Sequence, residues 1–206
     1  MTEHKVGIFG GSFNPVHLGH LLIAQCAMER MDLASVLFMP CPSPPHKPSG
    51  DLAPAPHRFE MLRLAIADNP VFNVSDREMR RSGTTYTIDT LEAMKRESPE
   101  TSFYFIIGSD TLFELHTWKR IENLLPLCRF ITLLRPGSTI TKEAATHLKL
   151  PDPWPETLLA DTINTRQIDI ASSDIRRRIA QGRSIRYLVP RSVDAYIENH
   201  HLYETT

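Results

Sequence analysis

The sequence predicts an α/β fold in which a doubly wound parallel sheet is followed by a small C-terminal helical subdomain. Short, nearly continuous apolar runs alternate with segments of helical period over about residues 1–167. This alternation is typical of a parallel sheet that is covered by helices on both faces. From about residue 168 onwards only helical periodicity remains, and this change predicts the subdomain.

Six strands are predicted from short apolar runs. In chain order they occupy residues 5–9, 35–40, 72–75, 102–108, 129–135 and 157–160. Apolar residues spaced three and four apart predict the helices that lie between and after these strands. The helices occupy residues 18–31, 57–68, 88–97, 119–127, 173–181 and 192–199.

Length and composition favour one globular domain that binds a small molecule. A chain of 206 residues with 41% hydrophobic and 23% charged residues can build a substantial core, and single cores grow to about 250 residues. A net charge of −1 gives no overall attraction to nucleic acid or to an anionic membrane. We therefore expect a single domain over residues 1–206 with no nucleic-acid or membrane partner, while its oligomeric state, including a homo-oligomer, stays open.

The start of the chain and the cysteines predict a cytoplasmic protein. The apolar run at residues 6–9 is too short for the core of a signal peptide, and no stretch approaches the roughly 18 apolar residues that span a bilayer. Cys26, Cys41 and Cys128 are scattered and lack the C-x-x-C spacing of a redox or zinc site. Such cysteines fit a reducing compartment.

Two irregular stretches interrupt the alternation of strands and helices. Residues 41–56 are rich in proline and cannot form regular structure. A loop longer than about 12 residues in a compact domain is commonly functional or disordered, so residues 42–50 are a candidate lid over a ligand. Residues 136–155 are also irregular and leave room for one short helix.

The loop after the first strand carries the strongest functional signal. Its sequence, GIFGGSFNPVHLGH at residues 7–20, lies where a doubly wound sheet binds its ligand, between the carboxyl end of a strand and a helix N-terminus. Gly10 and Gly11 allow a sharp turn and the close approach of a ligand. Pro15 restricts the path into the helix.

Two histidines extend this signal into the first helix. His17 and His20 are three residues apart and would share one helix face, with Gly19 leaving the helix entrance uncovered. Such donors suit a nucleoside triphosphate, whose oxygens gain charge as pyrophosphate departs. Two alternatives stay open: the glycines make only a tight turn while the histidines pack, or the histidines bind zinc. The P-loop and dinucleotide motifs do not occur in this sequence.

The stretch GGSFNPVHLGH resembles the G-x-F-x-P-x-H-x-G-H signature of the nucleotidylyltransferase superfamily. The matching residues are Phe13, Pro15, His17, Gly19 and His20. Asn14 stands where many members have Asp, so any role that needs a carboxylate there is in question. The resemblance implies a Rossmann-like sheet and the transfer of AMP from ATP to a phosphate or related acceptor.

Further segments narrow the resemblance to the bacterial nicotinate mononucleotide adenylyltransferases. Four look like that family in order and spacing: PPHK at 44–47, SDREMRRSGTTYTIDTL at 75–91, FIIGSDTLFELHTWKRIENLL at 105–125 and LLRPG at 133–137. A fifth, IASSDIR at 170–176, resembles the family's I-S-S-T-x-I-R only in part. The resemblance implies that ATP and nicotinate mononucleotide react to nicotinate adenine dinucleotide and pyrophosphate, with Mg²⁺ arriving on ATP.

The resemblance also implies roles for individual residues. Catalysis would rest on His17, His20 and Lys47. ATP would be bound by Gly10, Gly11, Ser12, Phe13, Gly19, Gly108, Asp110, Ser172, Ser173 and Arg176. Nicotinate mononucleotide would be bound by His46, Thr85, Tyr86, Trp118 and Arg135. No set of side chains is expected to form a metal site of its own.

These residues also have plainer interpretations. His46 and Lys47 could form a solvated loop tip, Trp118 could be a core residue, and Thr85 or Asp110 could cap a helix. Two other functions stay open as well. One is transfer to a different acceptor, such as nicotinamide mononucleotide or phosphopantetheine, and the other is a nucleotide-binding module without chemistry.

Overall fold

The computed structural model of the chain describes residues 3–42, 52–81, 83–134, 140, 142–164 and 168–204. Its strands are β1 (His4–Gly11), β2 (Ser35–Pro40), β3 (Phe72–Val74), β4 (Thr101–Gly108), β5 (Arg129–Leu134) and β6 (Thr162–Asn164). They form one sheet in the order β3-β2-β1-β4-β5-β6, and β1 with β4, β4 with β5, and β5 with β6 pair in parallel. The order reverses between β1 and β4, as in a doubly wound sheet, so the predicted α/β fold class is confirmed.

The helices lie between and after these strands. They are α1 (Leu18–Met31), α2 (Ala55–Ala65), α3 (Thr87–Glu97), α4 (Ser109–Leu112), α5 (Ile121–Leu124), α6 (Trp154–Ala160), α7 (Ser172–Ala180) and α8 (Arg191–Asn199). Short 3-10 helices cover Leu115–Thr117, Leu125–Leu127 and Lys142–His147. The last of these lies in the stretch for which one short helix was expected. Within the described ranges, no helix is long and apolar enough to cross a membrane.

The prediction of a strand over residues 157–160 is wrong. These residues lie in α6, and the sixth strand follows at Thr162–Asn164. Pro155 lies in the first turn of α6, where its fixed φ favours the start of a helix. A short apolar run fits a strand and a buried helix equally well, so the pattern alone did not separate the two.

The helix predicted over residues 119–127 is shorter than expected. Regular helix covers only Ile121–Leu124, and a 3-10 helix follows at Leu125–Leu127. Arg120 precedes α5 with a φ of 51°, and this left-handed conformation interrupts a helix. Pro126 lacks a backbone N–H and ends the regular hydrogen bonding on the other side. Trp118 therefore lies in the turn before α5.

Backbone contacts divide the chain into two compact units. The first unit comprises Met1–Gly10, Ile23–Val36 and Tyr86–Ile168, and the second comprises Gly11–Leu22, Leu37–Thr85 and Asp169–Thr206. The last segment of the second unit contains α7 and α8. The single domain with a C-terminal subdomain stays a prediction.

Each unit has its own buried core. In the first unit, Ile8 of β1, Ile106 of β4 and Ile131 of β5 are at most 1% exposed. In the second unit, α2 packs against α8, and His57 Nδ1 hydrogen-bonds the Tyr196 hydroxyl at 2.9 Å. In the loop that follows β1, Phe13, Asn14, Val16 and His17 are also buried.

An ion pair connects β5 to the residue between α6 and β6. The Arg129 guanidinium donates to both carboxylate oxygens of Asp161. The Asp161 side chain is 5% exposed, whereas that of Arg129 is 53% exposed. This hydrogen bond is the main cause of a raised pKa of Arg129. The Asp161 carbonyl also accepts a hydrogen bond from the Thr132 N–H at 3.1 Å. The ion pair and this backbone bond therefore both hold Asp161 against β5.

Replacing Arg129 with Met should lower the free energy of unfolding by about 1–3 kcal/mol, because the buried Asp161 carboxylate loses its charged donors. Urea denaturation followed by circular dichroism measures the change. Arg177→Met is the matched control, since Arg177 and Asp174 pair at the surface with 66% and 42% exposed side chains. The free energy of unfolding of Arg177→Met should fall by no more than about 0.5 kcal/mol. Equal losses in the two variants would contradict a special contribution of the Arg129 pair.

Candidate active site

The loop between β1 and α1, in the second unit, turns through Phe13. Phe13 has a φ of 44°, in the left-handed region that residues other than glycine seldom adopt. Its side chain is buried, and its ring meets His20 and Phe38 edge-on at centroid distances of 5.0 and 5.8 Å. The ring therefore supports His20, and any contact of Phe13 with ATP would involve its backbone.

Gly11 and Gly19 leave room for neighbouring rings. A Cβ at Gly11 would lie 3.1 Å from Cζ of Phe13. A Cβ at Gly19 would lie 3.0 Å from Nδ1 and 3.1 Å from Cε1 of His17. A side chain at either position would press on these rings, because well-packed sites tolerate added atoms poorly. The glycines of this loop thus accommodate the chain itself as well as any ligand.

His17 and His20 lie side by side at the start of α1. The His17 backbone N–H donates to Nδ1 of His20 over 3.2 Å, and the ring centroids are 3.7 Å apart. Because Nδ1 of His20 accepts this bond, a neutral His20 carries its proton on Nε2. The two histidines were expected to share one helix face. In the structure His17 precedes α1 and His20 lies in its first turn.

The side chain of His17 is enclosed by protein. His17 is 6% exposed, and within the described part of the chain its Nδ1 has no hydrogen-bond partner. Burial lowers the pKa of His17 to about 4, because an imidazolium loses solvation there. His17 is therefore neutral at pH 7, and it holds one buried polar atom that a ligand or a water molecule would satisfy.

Asn14 fixes the backbone of the same loop. Its Oδ1 accepts hydrogen bonds from the Ala53 N–H at 3.0 Å and from the Tyr203 hydroxyl at 2.8 Å. Burial raises the pKa of Tyr203, so its hydroxyl stays a donor. The Asn14 carbonyl accepts a bond from Nη1 of Arg176 at 2.9 Å. These bonds require an oxygen acceptor at position 14 but no charge, so the neutral Asn side chain is sufficient for them.

The N-terminus of α7 adjoins this loop. Ser172 and Ser173 begin the helix as expected, and the Ser172 hydroxyl donates to the Pro15 carbonyl at 2.9 Å. Arg176, one turn further on, binds the Asn14 carbonyl. The second unit therefore brings three of the predicted ATP-binding residues to residues 11–20, the histidine loop. Two of these three residues bind the backbone of the loop.

Arg58 is a residue of this region that the sequence analysis did not single out. It is 0% exposed and donates to backbone carbonyls of three chain segments. The signal that could have found it is the spacing of the buried face of α2, which comprises Arg58, Met61, Leu62 and Ala65. A charged residue at a position of the core face must have a specific set of partners. Tyr203 lies beyond the last helix and left no comparable signal.

Gly10, Gly108 and Asp110 belong to the first unit. Gly10 lies near the end of β1 and Gly108 ends β4, and these strands are parallel neighbours. Asp110 lies in the first turn of α4, for which Gly108 rather than Asp110 is the N-cap residue. All three lie at the carboxyl ends of adjacent strands, which is where the sequence placed them.

Trp118 and Tyr86, the two aromatic candidates for the mononucleotide, both belong to the first unit. The half-buried Trp118 ring meets Phe105 and Phe130 edge-on at centroid distances of 5.7 and 6.2 Å. Tyr86, the N-cap residue of α3, is 38% exposed, and Nζ of Lys119 lies 3.9 Å from its ring centroid. The residue that follows Trp118 in the sequence therefore contacts the Tyr86 ring.

For the remaining candidate residues, the structure gives fewer contacts or none. The Thr85 hydroxyl, in the second unit, donates to Oε2 of Glu78 at 3.4 Å, and Tyr86 rather than Thr85 is the N-cap residue of α3. His46, Lys47 and Arg135 lie outside the described residues, as does most of the candidate lid at 42–50. Among the residues that the structure describes, no group of three or more His, Cys, Asp and Glu side chains could hold a metal ion.

Comparison with known proteins identifies relatives over nearly the whole chain. Residues 8–178 match the family described as cytidylyltransferase-like. A protein of Lactiplantibacillus plantarum named probable nicotinate-nucleotide adenylyltransferase is 42% identical over 204 residues, which are 99% of this chain and 90% of the relative. A protein of Exiguobacterium sibiricum with the same name is 42% identical over 201 residues, which are 98% of this chain and 100% of the relative.

Solved structures share the fold. The nicotinic acid mononucleotide adenylyltransferase of Plasmodium falciparum complexed with APC superposes with a TM-score of 0.76 at 22% identity, over 97% of each chain. The same protein complexed with NaAD gives the same values. At this identity the likeness extends to the fold alone, and it agrees with the doubly wound sheet described above.

His17 should titrate far below an ordinary histidine. We expect its Cε1–H NMR signal, assigned by its loss in His17→Gln, to shift with a midpoint near pH 4. Between this value and the unfolded pKa of about 6.5, the unfolded chain binds more protons than the folded chain. Stability should therefore fall as the pH falls through this window, by about 1.4 kcal/mol per pH unit, with no contribution from His17 above it.

The variants separate this contribution from that of other groups. His17→Gln should lose the extra fall in stability between pH 6.5 and 4. His201→Gln should keep it, because the His201 side chain is 79% exposed. A midpoint near pH 6.5 for the His17 signal would show that the ring is not enclosed in solution.

Proposed function

The chain belongs to the cytidylyltransferase-like family, and we propose that it transfers AMP from ATP to nicotinate mononucleotide. The products are nicotinate adenine dinucleotide and pyrophosphate. The observation that carries this function is the 42% identity, over 99% of the chain, to a protein named probable nicotinate-nucleotide adenylyltransferase. The histidine pair at the start of α1 provides suitable chemical groups for the reaction.

The reaction is a substitution at the α-phosphorus of ATP. A phosphate oxygen of the mononucleotide attacks this phosphorus, and the bond to the bridging oxygen breaks as pyrophosphate leaves. Because Nδ1 of His20 is occupied by the His17 N–H, the donor of His20 is its Nε2–H. We assign this donor to the phosphate oxygens that gain charge, whose stabilisation lowers the barrier. Positioning of the two nucleotides would supply up to roughly 7–11 kcal/mol more.

His17 contributes as a neutral group that is buried before ATP binds. Its unpaired Nδ1 would gain a hydrogen-bond partner in the complex. A phosphate charge near the ring would raise the pKa of His17, since an opposite charge favours the protonated form. The pair would thus gain donor capacity when the triphosphate binds.

We assign the ATP phosphates to the histidine loop and the N-terminus of α7. Gly10, Gly11, Ser12, Phe13 and Gly19 would contribute through the backbone, and Ser172, Ser173 and Arg176 through α7. The support is the bond between Ser172 and the Pro15 carbonyl, which brings a helix N-terminus to the loop, and such termini favour anions. Gly108 and Asp110 are assigned to the adenosine.

Mg²⁺ would arrive with ATP and offset part of the charge on its phosphates. The described side chains offer no cluster that fits a resident metal ion.

The nicotinate mononucleotide is assigned to Trp118, Thr85 and Tyr86. The half-buried Trp118 offers a ring face for stacking on the pyridine ring. Tyr86 and the N-terminus of α3 lie beside the Lys119 ammonium, which also pairs with the Asp89 carboxylate at 3.8 Å. The helix N-terminus and the ammonium favour a carboxylate over an amide, and the charge of Asp89 offsets part of that preference. We also assign catalysis to Lys47 and mononucleotide binding to His46 and Arg135. These assignments rest on the sequence resemblance alone.

Pyrophosphate release tests the function directly. The chain is incubated with ATP, Mg²⁺ and one of three acceptors: nicotinate mononucleotide, nicotinamide mononucleotide or phosphopantetheine. We expect release with the first, and mass spectrometry should identify nicotinate adenine dinucleotide. ATP binding without release in all three mixtures would point to a nucleotide-binding module instead.

Replacing His20 with Ala should lower kcat by about 10²–10³-fold, the usual loss for one transition-state donor. The free energy of unfolding should change little in comparison. His116→Ala is the control, because His116 lies in a 3-10 helix of the first unit and has no assigned role in the reaction. A His20→Ala variant with full turnover would remove His20 from the mechanism.

The enzyme should prefer nicotinate to nicotinamide mononucleotide by a factor of about 10²–10⁴ in kcat/KM. An amide NH₂ would meet donors and leave about two buried groups unpaired, at roughly 1–3 kcal/mol each. Trp118→Ala should weaken both substrates by a similar factor, because stacking does not distinguish the two substituents. Comparable kcat/KM values for the two mononucleotides would contradict the assigned carboxylate site.

A further inference from the structure

Arg58 is a buried cation whose partners are backbone carbonyls. Its Nε donates to Ala53 at 2.9 Å, its Nη1 to Ser12 at 2.8 Å and Cys41 at 2.7 Å, and its Nη2 to Pro42 at 2.8 Å. Ser12 belongs to the histidine loop, Cys41 and Pro42 follow β2, and Ala53 precedes α2. One side chain therefore holds three chain segments together.

Two further bonds connect the same segments. The Ala53 N–H donates to Oδ1 of Asn14, while the Ala53 carbonyl accepts from Arg58. The Cys41 N–H donates to the Gly11 carbonyl at 2.9 Å. The histidine loop is thus bound at Gly11, Ser12 and Asn14 to the residues on either side of 43–51.

The geometry requires an arginine. A guanidinium presents its donors in a rigid planar fork, whereas a lysine ammonium presents three donors from one flexible point and cannot reach four separated carbonyls. Burial lowers the pKa of Arg58, and the four charge-assisted bonds offset this cost of enclosing a cation. Core stability by itself would be served as well by an apolar side chain of similar volume.

We infer that Arg58 is a positioning residue for adenylyl transfer: it fixes the loop that carries His17 and His20 relative to the chain on both sides of residues 43–51. It acts through these backbone segments and touches no substrate. The inference rests on the proposed function, because the histidines must meet the phosphates in a defined geometry. A misplacement of about 1 Å can cost about 10²-fold in rate.

The kinetic test uses Arg58→Lys, which keeps the charge and removes the fork. We expect kcat to fall about 10²-fold while the KM values for ATP and nicotinate mononucleotide change less than about threefold. Arg63→Lys is the matched control on the same helix, since Arg63 pairs with Glu60 at the surface with a 55% exposed side chain. Its kcat should equal that of the wild type.

Hydrogen exchange provides a readout that does not depend on activity. In Arg58→Lys, the amides of Cys41 and Ala53, which bond the histidine loop, should exchange faster, and those of β4 should keep their wild-type rates. Lower kcat together with this local change supports the inference. Wild-type kcat in the variant, unchanged exchange at Cys41 and Ala53, or faster exchange throughout the chain would each overturn it.

The controls also separate this inference from the proposed function. If the wild type releases no pyrophosphate with any acceptor, the proposed function fails, and with it the role of Arg58 in catalysis. If the wild type is active and Arg58→Lys is equally active, only the inference about Arg58 fails. Circular dichroism verifies the fold of each variant, and an unfolded Arg58→Lys would make Arg58 a general core residue and overturn the inference.

Discussion

A guanidinium group enclosed by protein needs hydrogen-bond acceptors for its N–H groups, because moving an ion out of water costs on the order of several kcal/mol. Arg58 finds four acceptors in backbone carbonyls. Since these carbonyls belong to separate segments, the bonds that satisfy the cation also hold the loops of the second unit. Asn14 extends the network to the end of the chain through Tyr203. The conformation of the histidine loop thus depends on residues from every segment of that unit.

This dependence gives several candidate ATP-binding residues a second task. Ser172 and Arg176 already bind the backbone of the histidine loop, and Phe13 packs beneath His20. Substituting any of them would disturb the loop along with any contact to a nucleotide. The hydrogen bond that His20 accepts from the His17 N–H joins residues only three positions apart, but the His20 ring also contacts Phe13 and His17. Loss of activity therefore identifies a catalytic group only where the loop is shown to stay in place.

The sequence predicted features whose signals are local or follow from topology. The bounds of α1 agree with the prediction, because a glycine-rich loop and a long helical period define it. The strand at 157–160 was wrong because four apolar residues fit two periods. The side-chain bonds of Asn14 join residues 39 and 189 positions apart, and no local pattern encodes such partners. The network around Arg58 was out of reach for the same reason, although its place on the core face of α2 was visible.

The protonation state of His17 follows from its burial in this loop. Enclosure of His17 keeps its ring neutral in the free protein, and this ring lies directly before the N-terminus of α1. If His17 were charged before ATP bound, its burial would oppose folding, and the loop would need a carboxylate to balance it. A neutral ring avoids that requirement, and Asn14 in the same loop carries no charge. The negative charge that favours protonation of the ring would come from the triphosphate, at the stage of the reaction where a donor is needed.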